Sequence, residues 1–412
     1  MDVVVGIELL ALSLVFSRTY SFFPEFRSPL LMGVTFLPLL FVIPALVVRP
    51  FAAFITIAIV GIVFGYQFWF AGLWGTPFTG DALGTFPGMF LAAMISVHAR
   101  NATPSRFLAI FFVATLCYLA LYFYLVASID ASAIIREQMQ GTGNFASSIR
   151  RTHESRGGLM VESEYKIGTS GAVMAFLVLY SLALLLRVRG WVRKLRVLPL
   201  VAATVYGLWI SDSRFNTLVT AMAAVALLLP IPTRVRAYGG FAIAVAGCVI
   251  YASAAFAPYN VFSNLEWDFS GAARSKEFAV ANPVLLQTPI LGIGIKNSAE
   301  DFDAVFTGDV YTADLGYYGE MIQTGVVGLL LLALCHWVIA RFAVRAERQG
   351  DDPLVPRLVS AYLVYVALIQ FLTPQLWAGA GSIMLSLCLA YVGVRTRSAR
   401  PTPQRERAVV QL

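Results

Sequence analysis

The chain has 412 residues, of which 58% are hydrophobic and only 13% charged, with a formal net charge of +7. Soluble domains carry roughly 25% charged and about 45–50% apolar residues. No compact shape hides this much apolar surface from water, so a soluble globular domain is excluded and lipid must act as part of the solvent.

Apolar runs of roughly 17–25 residues, long enough to cross about 30 Å of hydrocarbon as a helix, alternate with short polar segments. They fall near 3–18, 29–48, 50–74, 83–98, 106–128, 167–188, 195–211, 214–232, 238–257, 324–341, 355–373 and 376–395. The first and fourth of these runs are the weakest. The expected architecture is an all-α, polytopic transmembrane helix bundle of about twelve spans, occupying 1–395 and followed by a basic tail, 396–412. No cleaved signal peptide is expected, because Met1 and Asp2 supply no basic leader. Cys117, Cys248, Cys335 and Cys388 all lie in predicted spans without a CxxC pair. They read as small apolar packing residues.

Basic residues set the expected orientation. Arg187, Arg189, Arg193, Lys194 and Arg196 crowd one turn; Arg234 and Arg236 mark a second; Arg341, Arg345, Arg348 and Arg357 a third; the tail carries Arg395, Arg397, Arg400, Arg405 and Arg407. With twelve spans all four clusters fall on one side, which the positive-inside rule makes the cytoplasm. Two longer segments, 129–166 and 258–323, then face outward. Loops of this length are usually functional or disordered. The second is interspersed with Trp267, Phe269, Phe278, Leu285 and Ile290, so short helices lying on the bundle are expected there. Arg150, Arg151, Arg156, Arg274 and Lys276 run against the insertion rule and point to an anionic partner outside. Pairing with nearby acids or lipid phosphates is the plainer reading for any single one.

Three segments are candidates for chemistry. Ser211-Asp212-Ser213-Arg214 precedes a helix whose N-terminus faces outward. Ser213 or Asp212 suits an N-cap, and the unpaired N–H groups beside Arg214 favour phosphate; the alternative is an arginine snorkelling to the interface. Arg274 opens a short amphipathic helix through Asn282, ended by Pro283. Gly292-x-Gly294 lacks the third glycine of a dinucleotide fingerprint and reads as a tight turn bringing backbone close to a substrate. Asp314 sits where loop becomes helix, either as an N-cap carboxylate or as a base for an attacking hydroxyl. Tyr317 and Tyr318 offer aromatic faces to sugar rings, or else belong to an interfacial belt; Glu320 is the reserve base. Lys296 joins the cationic set. His98, His153 and His336 are poor catalytic prospects and HExxH does not occur, so no metal and no cofactor is expected.

In order and spacing these pieces resemble the Wzy polymerase and O-antigen ligase superfamily: Ser-Asp-Ser-Arg214 before a helix, Arg274 followed by Pro289-Ile-Leu-Gly-Ile-Gly, and Asp314 leading to Gly325-Val-Val-Gly328. The likeness covers about 211–328; the first half agrees only in hydropathy and helix number. The resemblance implies a metal-independent, GT-C-like membrane glycosyltransferase acting on the periplasmic side of the bacterial inner membrane. Its donor and acceptor are undecaprenyl-pyrophosphate-linked oligosaccharides, and Arg214 and Arg274 match the arginines that hold the diphosphate. The family's ligases place a histidine where this chain has Asp314. That departure fits a polymerase better than a ligase, and the Asp-Leu-Gly-Tyr form looks most like exopolysaccharide polymerases of the xanthan type. Lys296 and Arg150, Arg151 and Arg156 are then expected to hold the second diphosphate or gate the cavity. Expected partners are membrane lipid, a flippase and a chain-length regulator, but no nucleic acid. Rival readings are an O-antigen-type ligase, a transporter for the same lipid-linked sugar, and a purely structural membrane subunit. A transporter would place ionisable groups and broken helices near the midplane, often in repeated halves, and no internal repeat is evident.

Overall fold

The computed structural model describes residues 2–17, 50–75, 94–95, 98–99, 103–128, 171–210, 214–257, 269–295, 305, 315–349 and 352–373. All regular structure among them is helical. The helices are α1 (Asp2–Ser17), α2 (Pro50–Trp74), α3 (Pro104–Ser128), α4 (Gly171–Arg187), α5 (Trp191–Ile210), α6 (Arg214–Leu228), α7 (Thr233–Phe256), α8 (Phe269–Leu285), α9 (Gly316–Arg348) and α10 (Leu354–Ile369). All but α8 coincide with a predicted span. The predicted spans at 29–48 and 376–395, most of 83–98, the loop 129–166 and the tail lie outside the described residues. Among the described helices, α3 (over Pro104–Tyr124), α7 and α9 are each long and apolar enough to cross a bilayer, and α4, α6 and α10 are shorter apolar helices. The chain is a multi-pass membrane protein.

Helix α10 is the centre of the bundle, packing on α3, α4, α6, α7 and α9. Tyr362 and Tyr365 are wholly enclosed and stack with ring centroids 5.4 Å apart. Membrane interiors admit such phenols where each hydroxyl finds a partner. Tyr362 donates to the Ala172 carbonyl at 2.9 Å and Tyr365 to Asn216 Oδ1 at 2.7 Å.

The basic turns gather at one end. Arg106 pairs with Asp2. Asp352, just before α10, accepts from Ser105 at 3.1 Å and pairs with Arg187 at 2.9 Å. Arg236, only 5% exposed, donates to Ile231 O at 3.0 Å and Ser360 Oγ at 3.2 Å. These contacts bring the starts of α1, α3, α7 and α10 together with the end of α4, as the charge pattern requires. Arg236→Met should cost about 2–3 kcal/mol, because carbonyls of the 229–231 turn lose their donor. Arg234→Met, at an exposed position, should stay within about 0.5 kcal/mol. Thermal unfolding in detergent checks both.

Helix α9 is broken. Gly325 has φ 65 and ψ −162, a backbone conformation that a side chain opposes. A break at this position exposes backbone groups that lipid cannot satisfy. The turn after α8 satisfies them. Ile293 and Gly294 N–H donate to the Ile322 and Gln323 carbonyls at 2.8 and 3.0 Å, and Val326 and Val327 N–H donate to Pro289 and Ile290 carbonyls at 3.0 and 3.1 Å. Helix α2 closes the clasp from the other side. Tyr66 donates to Thr324 O at 3.1 Å, Trp69 to Gly292 O at 3.1 Å and Trp74 to Ile293 O at 3.3 Å.

Two features here differ from expectation. Helix α8 does not end at Pro283 but runs from Phe269 to Leu285 with Pro283 in its last turn, where the exposed ring displaces no packed neighbour. The α8 segment lies on the bundle as expected, with Phe278, Ala281 and Leu285 packed into a core cluster with α7 and α9 and Lys276, Ala279 and Pro283 exposed. Gly292 and Gly294 bring backbone close to α9 and α2, not to an open cavity. Because α9 begins at Gly316, the tip of this turn lies about 14 Å along the helix from that end, at 1.5 Å per residue.

Candidate functional site

The end opposite the basic turns is assembled around the last turns of α10. Helix α6 arrives there with Arg214 as its first residue, and two residues on, Asn216 is gripped by Tyr365. Helix α7 contributes Tyr251, whose hydroxyl donates to Phe371 O at 2.9 Å. Tyr251 also packs 6.0 Å from the Tyr317 ring and lies within electrostatic reach of Arg274 on α8. Arg274 is half-buried. Both arginine positions thus belong to the same end of the bundle, tied to α10 through Asn216–Tyr365 and Tyr251–Phe371. Helix α6 points its N-terminus toward that end, the polarity that favours an anion.

Tyr317 and Tyr318 are placed differently from the sugar platforms they were expected to be. Both are 0% exposed. Tyr317 donates to Ala367 O at 3.0 Å and meets Phe371 edge-on at 5.2 Å. Tyr318 donates to Asn282 Oδ1 at 3.0 Å and stacks on Phe278 at 4.5 Å. With no ring face open, they hold α8 and α10 against the start of α9. Glu320 is also enclosed, at 4% exposure, and its carbonyl accepts from Thr324 Oγ1 at 2.7 Å. That burial sets it apart from an accessible base. The residue capping α9 is Leu315, which offers no side-chain hydrogen bond. Asp314, Lys296, Arg150, Arg151 and Arg156 lie outside the described residues, as does the Arg214 side chain.

Several residues of this end carried no signal of their own in the sequence. Tyr251, Asn216 and Tyr365 sit inside apolar runs and acquire partners only across the bundle. The Tyr66, Trp69 and Trp74 row shows an (i, i+3) and an (i, i+8) spacing on one face of α2, which a search for donors on one side of a helix would find. At the opposite end His98 Nδ1 lies 2.5 Å from Glu8 Oε1, both residues buried. His336, also enclosed, has its Nδ1 2.9 Å from Leu332 O. Neither histidine is near the arginine-bearing end.

Comparison with known proteins returns no matching family model, no matching curated protein and no matching solved structure.

Proposed function

We propose that this chain joins lipid-linked sugar units, polymerising undecaprenyl-pyrophosphate-linked oligosaccharides into an exopolysaccharide or O-antigen-type polymer. The reaction runs at the end of the bundle bearing Arg214 and Arg274, facing the periplasm of a bacterial inner membrane. The acceptor's sugar hydroxyl attacks the anomeric carbon of the donor. The bond from that carbon to the diphosphate oxygen breaks, and undecaprenyl pyrophosphate departs with the electron pair. Arg214 and Arg274 neutralise that developing charge, the largest kind of catalytic contribution in such sites, while Asp314 receives the hydroxyl proton. No metal is required in this scheme, because two guanidinium forks match diphosphate oxygens directly.

The observation that carries the reading is the shared location of the two arginine positions. They are 60 residues apart in sequence, yet α6 is tied to α10 by Asn216–Tyr365, and Arg274 on α8 lies within electrostatic reach of Tyr251, whose hydroxyl donates to Phe371 just beyond α10. The broken α9 also fits a transporter, whose sites use interrupted helices; here, however, the 289–294 turn and Tyr66 take up backbone groups on both sides of the break. Purified protein reconstituted with lipid-linked repeat units decides between the classes. Ladders of length-multiplied product support a polymerase. Single transfer to a lipid acceptor means a ligase, and movement of the lipid-linked sugar without new bonds means a transporter.

A further inference from the structure

Beyond its break, helix α9 presents one face to lipid. Leu330, Leu334 and Trp337 are exposed on it, and so are Arg341, Arg345 and Arg348. At 3.6 residues per turn all six fall within a sector of about 80°. Leu332, His336, Ile339 and Ala343, on the opposite side, are buried. Leu330 and Arg341 are eleven residues apart, about 16 Å along the axis. That is the depth of one leaflet, half of about 30 Å.

The Arg341 guanidinium stacks over the Trp337 indole, 4.7 Å from the ring centroid. This cation–π contact leaves the in-plane N–H fork free. Cα–Cβ bonds tilt toward the N-terminus of a helix, so the stem of Arg345, one turn beyond, starts back toward Arg341. Like charges at (i, i+4) and (i, i+3) repel, and among the described residues no carboxylate pairs with any of the three arginines. Glu347 lies on another face, within electrostatic reach of Arg236, and Asp352 is held by Arg187. The orientation of the bundle asks only that basic residues end on this side, and Arg187 and Arg236 meet that demand while turned into protein contacts. It does not ask that three arginines continue the lipid-facing stripe of one helix. A phosphodiester at this level relieves their repulsion.

We propose that this face of α9 binds an anionic phospholipid. The phosphate sits between Arg341 and Arg345, whose guanidinium forks match its oxygens, with Arg348 toward the polar part of the headgroup. One acyl chain runs from Trp337 along Leu334 to Leu330. Charge complementarity selects the anion, and the apolar residues in register below it select a lipid of one leaflet over a free phosphate.

The test is titration of phosphatidylglycerol, against phosphatidylcholine, into the full-length protein in neutral detergent, followed by native mass spectrometry and melting temperature. The wild type should prefer phosphatidylglycerol at least about tenfold. The double variant R341Q/R345Q should bind it roughly 25-fold more weakly, about fivefold for each basic residue removed. R345Q alone should lose about fivefold, which keeps the test decisive if the double variant does not accumulate. W337L, with no change of charge, should lose about threefold as Arg341 loses its ring. R189Q/R193Q, an equal charge change at the α4–α5 turn of the same end, should retain the preference. An equal loss in R189Q/R193Q, or no loss in W337L, would mean diffuse attraction to a leaflet and overturn the site. So would a wild type without preference, the same melting shift from inorganic phosphate, or a two-copy species that R341Q/R345Q dissociates.

Discussion

Alanine at Arg214 or Arg274 should abolish polymer while leaving the protein in the membrane at its normal level. Loss of one charged donor aimed at a developing anion costs about 10²–10³ in rate. Arg274 is half-buried at the end of the bundle, where a charge is worth more than in bulk water. Lysine restores the charge but not the planar fork, so Arg274→Lys should recover only part of the lost rate. Lys276, two residues on and exposed, is the control, and Lys276→Gln should make nearly normal polymer. The readout is polymer length on gels from cells, normalised to membrane-bound protein by immunoblot. Full-length polymer from both alanine variants would sink the diphosphate role.

The second large effect concerns the break in α9. Gly325→Ala should destabilise the protein by about 3 kcal/mol or more. A non-glycine residue in that backbone region costs about 1–3 kcal/mol by itself, and an added Cβ also falls on the Ile290 carbonyl. Gly292→Ala should behave alike, since its φ is 68 and its Cβ would stand 2.6 Å from the Gln323 carbonyl carbon and the Gly325 nitrogen. Both changes push the 289–294 turn out of the break, leaving the carbonyls of Ile322 and Gln323 without donors. The consequence should reach Arg274, because α8 is held by the same turn and by the Tyr318–Asn282 bond. Polymer synthesis should therefore fall with stability. Gly239→Ala is the matched control: nothing lies within 4 Å of its Cβ. A helical alanine there should be neutral or stabilising by up to about 1 kcal/mol. Melting temperatures in detergent compare the three, and equal values would show that the clasp is dispensable.

Hydropathy and charge are properties of local composition, and what depends on them was legible. The spans at 104–128, 171–187, 233–256 and 354–369 follow from apolar runs that lipid requires to be helical. The gathering of Arg187, Arg236 and Arg357 at one end follows from turn spacing. The start of α9 at Gly316 agrees with the loop-to-helix transition read at Asp314, while the apolar span read from 324 begins late because Glu320, Gln323 and Thr324 lower the hydropathy, although Glu320 and Thr324 are buried. The glycines at 292 and 294 announced a close backbone approach, but to a substrate, whereas what they approach is the backbone of α9 and α2. Tyr317 and Tyr318 sit beside a polar loop in sequence, so a sugar platform or an interfacial belt was the natural expectation. Their enclosure depends on Ala367 and Asn282, groups with no local signature.

What the amino-acid order determined alone is the membrane class, the helices and the common end of the basic turns, since each arises from neighbours along the chain. Only the tertiary structure decided what α8 packs against, that α9 is broken and plugged, and that the two tyrosines are walls. Those outcomes rest on hydrogen bonds between groups as far apart as Tyr66 and Thr324, 258 residues distant. A donor's worth in hydrocarbon is set by whether an acceptor waits across the bundle, and no local pattern encodes that partner.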